Sequence, residues 1–206
     1  FSEEIDKKEI RKNRSLDAKA KIVALLPGSR KSEVSRMIPV LLESAIRIKE
    51  ANNSILFFMP FANEEHLSLL KDAKNYSWIN FSVGNSQEVL SFSDIGIVTS
   101  GTASLEATLL KTPVVVIYKT SWLTYKLVKP LLKISFYSLP NLLAGRQFLP
   151  ELIQEEVTSS NVLKAFNELD QKSYNDCLKA FEGIHSSLKS NGPDSASNII
   201  AEMLKC

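Results

Sequence analysis

Cysteine is scarce in this chain of 206 residues: Cys177 and Cys206 are the only two, and they stand far apart. That spacing excludes a disulfide framework or a cysteine-based metal site and fits a reducing compartment. Histidine is equally rare. His66 and His185 are the only two, and both fall in polar helical stretches that read as surface, so neither is a base or a ligand. No apolar run is long enough to cross a bilayer, and the first residues carry no signal-peptide pattern. The seven glycines form no G-x-G-x-x-G fingerprint and no Walker A lysine loop. A G-x-S-x-G nucleophile elbow is missing, as is an Asp-x-Asp pair that would hold a divalent metal on a diphosphate. An excess of one charge is missing too. The net charge is +2, with acids and bases mixed, which argues against a nucleic-acid partner.

What remains is ordinary globular composition, 44% hydrophobic and 23% charged, in a chain long enough to bury a real core. It starts at Phe1 without a methionine, and so reads as part of a longer protein. Residues 1–21 are charge-rich and weakly periodic, a linker or frayed helix. The pattern then alternates. Short apolar runs at 22–26, 54–59, 78–83, 95–98 and 113–118 read as buried strands, with a weaker one at 135–138. Between them lie helical spacings at 31–51 (with Pro39 as a kink or restart), 64–74, 86–91 with Ser86 as N-cap, and 103–110. The tail is helical, at 161–169, 173–188 and 194–204. Such alternation implies an α/β domain over 22–158: a parallel sheet with helices on both faces and a helical tail, 159–206, packed on it. Ligands then sit beyond the carboxyl ends of the strands, so the loops after Leu26, Val98 and Tyr118 matter most.

Three segments carry candidate chemistry. After the first strand comes Pro27-Gly28-Ser29-Arg30. Gly28 permits close approach or positive φ, Ser29 offers a hydroxyl, and Arg30 projects a planar fork suited to phosphate beside a helix start. The same residues also suit a plain strand-to-helix turn. In the second, Thr99-Ser100-Gly101-Thr102 leads from strand to helix, where backbone N–H groups and hydroxyls can receive an anion. Glu106, one turn after Thr102, can accept both hydroxyls of a ribose. Its alternative is a capping box with Thr102 as N-cap, which the spacing of four weakens. In the third, 138–146, Asn141 has the donor and acceptor needed to read a uracil or sugar amide edge, although the residues alone say only a turn at Pro140-Asn141.

Taken in order, Leu25 to Arg30 with Glu33, Ser100 to Ala103 with Leu105-Glu106-Ala107, and Ser138 to Arg146 with Pro150-Glu151-Leu152 resemble the lipid-A-disaccharide synthases. The resemblance runs from about Lys21 to Gln154. The 138–146 run is the most specific part, whereas the Ser-Gly-Thr-x-x-x-Glu pattern is shared with related glycosyltransferases and sugar-nucleotide epimerases. It implies the C-terminal half of a GT-B fold, two Rossmann-like domains facing across a cleft, with this half binding the UDP of the donor. It places Arg30 at the diphosphate with Gly28, Ser29, Ser100, Gly101 and Thr102, Glu106 at the ribose and Asn141 in the nucleotide pocket. The implied reaction joins UDP-2,3-diacylglucosamine to 2,3-diacylglucosamine 1-phosphate (lipid X), giving lipid A disaccharide 1-phosphate and UDP.

By the same resemblance no metal or cofactor is needed. The catalytic carboxylate and acceptor site belong to the N-terminal half, so this chain holds no catalytic residue. The whole enzyme would be a homodimer, cytoplasmic and peripheral at the bacterial inner membrane. Residues 122–133, mixing aromatics, leucines and lysines, read first as a helix packed on the sheet with snorkelling lysines, and second as a membrane contact. Two further functions compete: another GT-B glycosyltransferase or epimerase, and a non-catalytic nucleotide-sugar-binding module.

Overall fold

The computed structural model describes residues 6–121, 136–172 and 174–190. Its centre is β1 (Ile22–Leu26), buried along its whole length. A strand covered on both faces needs an unbroken apolar run, and these five residues supply one. The other strands are β2 (Leu56–Phe61), β3 (Ile79–Val83), β4 (Ile95–Thr99), β5 (Val114–Tyr118) and β6 (Glu151–Ile153). They form one six-stranded sheet in the order β3-β2-β1-β4-β5-β6, with every pairing parallel. The chain builds outward from β1 to β3, then crosses back to lay β4 on the other side of β1. That reversal leaves a crevice beyond the carboxyl ends of β1 and β4. The doubly wound α/β architecture expected from the alternating runs is therefore present.

The longest helix, α2 (Lys31–Ala51), follows β1. Its apolar stripe of Val34, Ile38, Leu41, Leu42, Ala45 and Ile48 is buried at the spacing the sequence implied, and each large side chain contributes roughly 1.5–3 kcal/mol. Pro39 lies inside this continuous helix. It removes one backbone donor, but the buried stripe on both sides of it outweighs that local loss. Pro60 likewise sits within β2 rather than ending it, paired with Ser82 of β3. Pairing with β1 stops at Phe58. Beyond that point β2 has a free side toward which a missing N–H costs nothing.

Shorter elements complete the layers: α3 (Glu64–Leu67), a 3-10 turn at Ala73–Tyr76, α4 (Ser86–Phe92), α5 (Thr102–Leu109) and α6 (Leu139–Ala144). After β6 come a 3-10 turn at Gln154–Glu156, then α7 (Ser159–Lys172) and α8 (Tyr174–Ser190). In one layer α2 packs with α7; in another α4 packs with α5 and with α1 (Lys7–Asn13). Several local expectations shift. The helix expected over 64–74 is only one turn of α3, and α4 is capped by Asn85 rather than Ser86. Ser138, expected in a strand, is the N-cap of α6, accepting from the N–H of Asn141, and Pro140-Asn141 are helical rather than a free turn. His66 is a correction as well. It is only 4% exposed, and its Nδ1 has no hydrogen-bond partner. Residues 122–133 and the helix expected at 194–204 lie outside the described residues.

Residues 1–21, read as linker or frayed helix, contain α1 (Lys7–Asn13), N-capped by Asp6. α1 is fixed at the amino edge of the sheet by a buried arginine. Arg11 donates through Nε and Nη2 to the carbonyl of Phe92 at 2.9 and 2.7 Å, and pairs with Asp94 at 2.8 Å. Asp94 in turn accepts from the N–H of Ile22 at 2.8 Å, at the first residue of β1. Lys7 adds bonds to Ser93 O at 2.6 Å and to Thr112 Oγ1 at 3.0 Å.

Candidate functional site

The turn after β1 demands glycine. Gly28 has φ +110°, and a Cβ there would lie 3.1 Å from Glu33 Oε2 and 3.2 Å from Glu33 Cβ. Left-handed backbone and lack of space therefore both exclude a side chain. The turn delivers Ser29 and the N-cap Arg30 to the start of α2. Glu33 reaches back to the Arg30 N–H at 3.4 Å and to its guanidinium at 3.4 Å. These are long contacts, and the Arg30 side chain is 79% exposed.

The turn after β4 is built from small residues for a different reason. Thr99 Oγ1 donates to Leu26 O at 3.1 Å, tying the carboxyl ends of β4 and β1 together. Ser100 spends its N–H on Ile117 O of β5 at 2.9 Å and its hydroxyl on Tyr137 O at 3.3 Å. Gly101, at φ +149°, caps α5. Thr102 is thus the first helical residue, one place later than the capping-box alternative needs, and that alternative falls away. The N–H groups of Lys31 and Ser32 at the start of α2, and of Thr102 and Ala103 at the start of α5, have no acceptor among the described residues, whereas those of Glu33 and Ser104 are bonded to Arg30 O and Gly101 O. Neither Lys nor Arg is needed for these two helix starts to present partial positive charge to the crevice.

Both turns open on one cavity of about 150 Å³ at the point where strand order reverses. Gly28, Ser29 and Glu33 line it from the β1 side, and Ser100, Gly101, Thr102 and Glu106 from the β4 side. Glu106 is half-buried, and its carboxylate has no hydrogen-bond or ion-pair partner among the described residues. It is an acceptor held in place by its helix and left open toward the cavity. Two helix N-termini beside an open carboxylate make a site that accepts an anion at one end and hydroxyl donors at the other. Ser86, Pro60 and Ala62 close the β2 side. Of these, Ser86 was legible in the sequence only as a helix N-cap, and nothing there marks Pro60 or Ala62 as lining a site.

Two expected site residues behave otherwise. Arg30 does not line the cavity, and its guanidinium lies in solvent against Glu33. Asn141 is fully buried and its amide is consumed inside the protein. Its Nδ2 donates to Leu149 O at 2.9 Å and Glu151 Oε1 at 2.7 Å, while its Oδ1 accepts the N–H groups of Phe148 and Leu149, each at 3.0 Å. A side-chain amide offers two donors and an acceptor oxygen, and here none is left for a nucleotide. Asn141 fixes the 138–151 segment instead.

An open, doubly wound parallel domain with its cavity at the strand-order reversal belongs to the class of Rossmann-like domains that make up half of a GT-B protein. Solved structures of that class superpose on it. The UDP-GlcNAc 2-epimerase from Neisseria meningitidis bound to UDP-GlcNAc matches with a TM-score of 0.56 at 16% identity, covering 96% of this chain and 48% of that one. The glycotransferase of kitacinnamycin matches with a TM-score of 0.55 at 15% identity, covering 91% and 44%. At such identities the likeness establishes the fold.

Sequence comparison establishes the family. Residues 2–200 match the lipid-A-disaccharide synthetase family, and the chain belongs to it. It is 37% identical over 209 residues to the lipid-A-disaccharide synthase of Cellvibrio japonicus, and 35% identical over 208 residues to that of Alteromonas mediterranea. In both cases 98% of this chain is covered but only 54% of the relative. The chain therefore spans about half the length of the curated relatives it matches.

Proposed function

We propose that this chain is the donor-binding half of a lipid-A-disaccharide synthase, a glycosyltransferase of lipid A biosynthesis. The convergence of two helix N-termini and the open carboxylate of Glu106 on one cavity carries this reading. The diphosphate of a UDP-sugar lies against the leading N–H groups of α2 and α5, with the Ser29 and Thr102 hydroxyls beside it. Glu106 accepts the ribose hydroxyls. The donor is UDP-2,3-diacylglucosamine and the acceptor is lipid X.

In the transfer, an acceptor hydroxyl oxygen forms the new bond to the anomeric carbon of the donor. The bond from that carbon to the diphosphate breaks, and its electron pair leaves on UDP. The hydroxyl proton goes to a carboxylate of the partner half, since the cavity of this half holds Glu33 and Glu106 on the side of the nucleotide. Negative charge grows on the departing diphosphate, where fixed N–H donors stabilise it without reorganising. Arg30, exposed and paired with Glu33 only at 3.4 Å, turns toward the diphosphate when the donor binds. The whole enzyme works as a homodimer at the cytoplasmic face of the inner membrane.

The test is calorimetric titration of this chain with UDP, beside Glu106→Ala. Micromolar to millimolar binding is expected, and the substitution should weaken it at least tenfold, about 1.4 kcal/mol, without changing thermal stability. Equal UDP affinity in the two proteins would sink the assignment of Glu106. Disaccharide formation by this polypeptide alone would refute the division of labour between halves.

A further inference from the structure

The 138–151 segment and the turn at 100–102 are linked by a short chain of polar bonds. Glu151, the first residue of β6, accepts four donors. Its Oε2 takes the N–H of Tyr137 at 2.7 Å, and its Oε1 takes the N–H of Ser138 at 2.9 Å, the Ser138 hydroxyl at 2.7 Å and Asn141 Nδ2 at 2.7 Å. Among the described residues no cation takes part. A carboxylate saturated by neutral donors holds them tightly, because each bond is charge-assisted. The residue it grips through its own backbone, Tyr137, presents the carbonyl that receives the Ser100 hydroxyl at 3.3 Å. Ser100 is the residue just before the Gly101 cap of α5, and its N–H is anchored on β5.

From this geometry we infer that Glu151 is a positioning residue of the site: through Tyr137 and Ser100 it sets the turn whose N–H groups face the cavity. The inference rests on the reading of that cavity as a UDP site. Glu151 does not line the cavity. A glutamine in its place keeps the size and one acceptor oxygen. It replaces the second oxygen by an NH₂ group, which would meet the Tyr137 N–H or the Ser138 donors head-on. The Tyr137 carbonyl then loses its fixed position, and Ser100 its reference.

The experiment compares the wild-type chain, Glu151→Gln, Ser100→Ala and the double substitution by UDP titration and by amide hydrogen exchange without ligand. Exchange of the Ser100 amide, which is bonded to Ile117 O, should quicken in Glu151→Gln while β1 amides keep their protection. UDP affinity should fall about five- to tenfold. On Ser100→Ala, where the relay is already cut, Glu151→Gln should add no further loss of affinity. Unchanged exchange of the Ser100 amide, or additive losses in the double substitution, overturns the proposal, because a merely structural glutamate would lower stability and leave the turn alone. If exchange responds as expected but wild-type chain binds no UDP, the positioning relay stands and the donor-site reading fails.

Discussion

The amino and carboxyl ends of the strands both gather polar groups and use them in opposite ways. At the amino edge, Lys7, Arg11 and Asp94 line a cavity of about 410 Å³, larger than the 150 Å³ at the carboxyl edge. Yet Lys7, Arg11 and Asp94 are spent on one another and on nearby backbone and hydroxyl groups. Arg11 is bonded to Phe92, Asp94 and the carbonyls of Ala18 and Ala20, and Lys7 to Ser93 and Thr112. At the carboxyl edge the leading N–H groups of two helices and the carboxylate of Glu106 are left over. Size does not separate the two; unspent hydrogen-bonding capacity does. A buried group that is already paired contributes stability, while one held rigid and unpaired is available to a ligand.

Three substitutions sharpen that contrast. The largest effect belongs to the amino edge. Arg11→Met removes a buried guanidinium and leaves the Phe92 carbonyl and Asp94 short of donors. It should cost about 3 kcal/mol in denaturant unfolding and leave UDP affinity of the folded chain unchanged. A large loss of UDP binding there would mean that the edges are not independent. Next comes Asn141→Ala, which strands the N–H groups of Phe148 and Leu149. We expect a loss of about 2 kcal/mol, read as a lower midpoint. If instead stability holds and UDP binding disappears, Asn141 reads the nucleotide after all and the saturated amide is misleading.

The third effect is a pH dependence. Burial lowers the Lys7 pKa from 10.5 to about 8, opposed by Asp94 and helped by Arg11. Below pH 8 both folded and unfolded chains carry the proton, and the folded state bears the full cost of a buried ammonium. Between pH 8 and 10.5 the unfolded chain holds more protons, so stability rises with pH. Wild type should therefore gain on Lys7→Met across that window in paired melts at pH 7 and 10; a gap that stays constant would show that the ammonium is solvated.

Much of the fold was legible because its signals are local. The apolar runs of β1, β4 and β5 are unbroken because both their faces are covered, and the buried stripe of α2 repeats at helical spacing. Six of the expected site residues, Gly28, Ser29, Ser100, Gly101, Thr102 and Glu106, also converge as the strand-to-helix order implies. What failed were judgements about partners. α1 passed for a linker because the reason Arg11 is buried lies at Phe92 and Asp94, more than eighty residues away. β6 is three residues long, too short for any period to register. His66 sits in a polar stretch and is nonetheless covered.

The sequence alone determined that this is an alternating α/β chain with glycine and small hydroxyl residues at the strand ends, and its 138–146 run carried the family resemblance. Those properties follow from backbone sterics and from apolar periodicity within a few residues. Only the tertiary structure decided which polar groups remain free. Asn141 and Glu106 are both polar residues in family-specific segments, but one meets Leu149 and Glu151 while the other meets an open cavity. Hydrogen-bond satisfaction depends on what folding brings within about 3 Å, and that is a property of the assembled molecule.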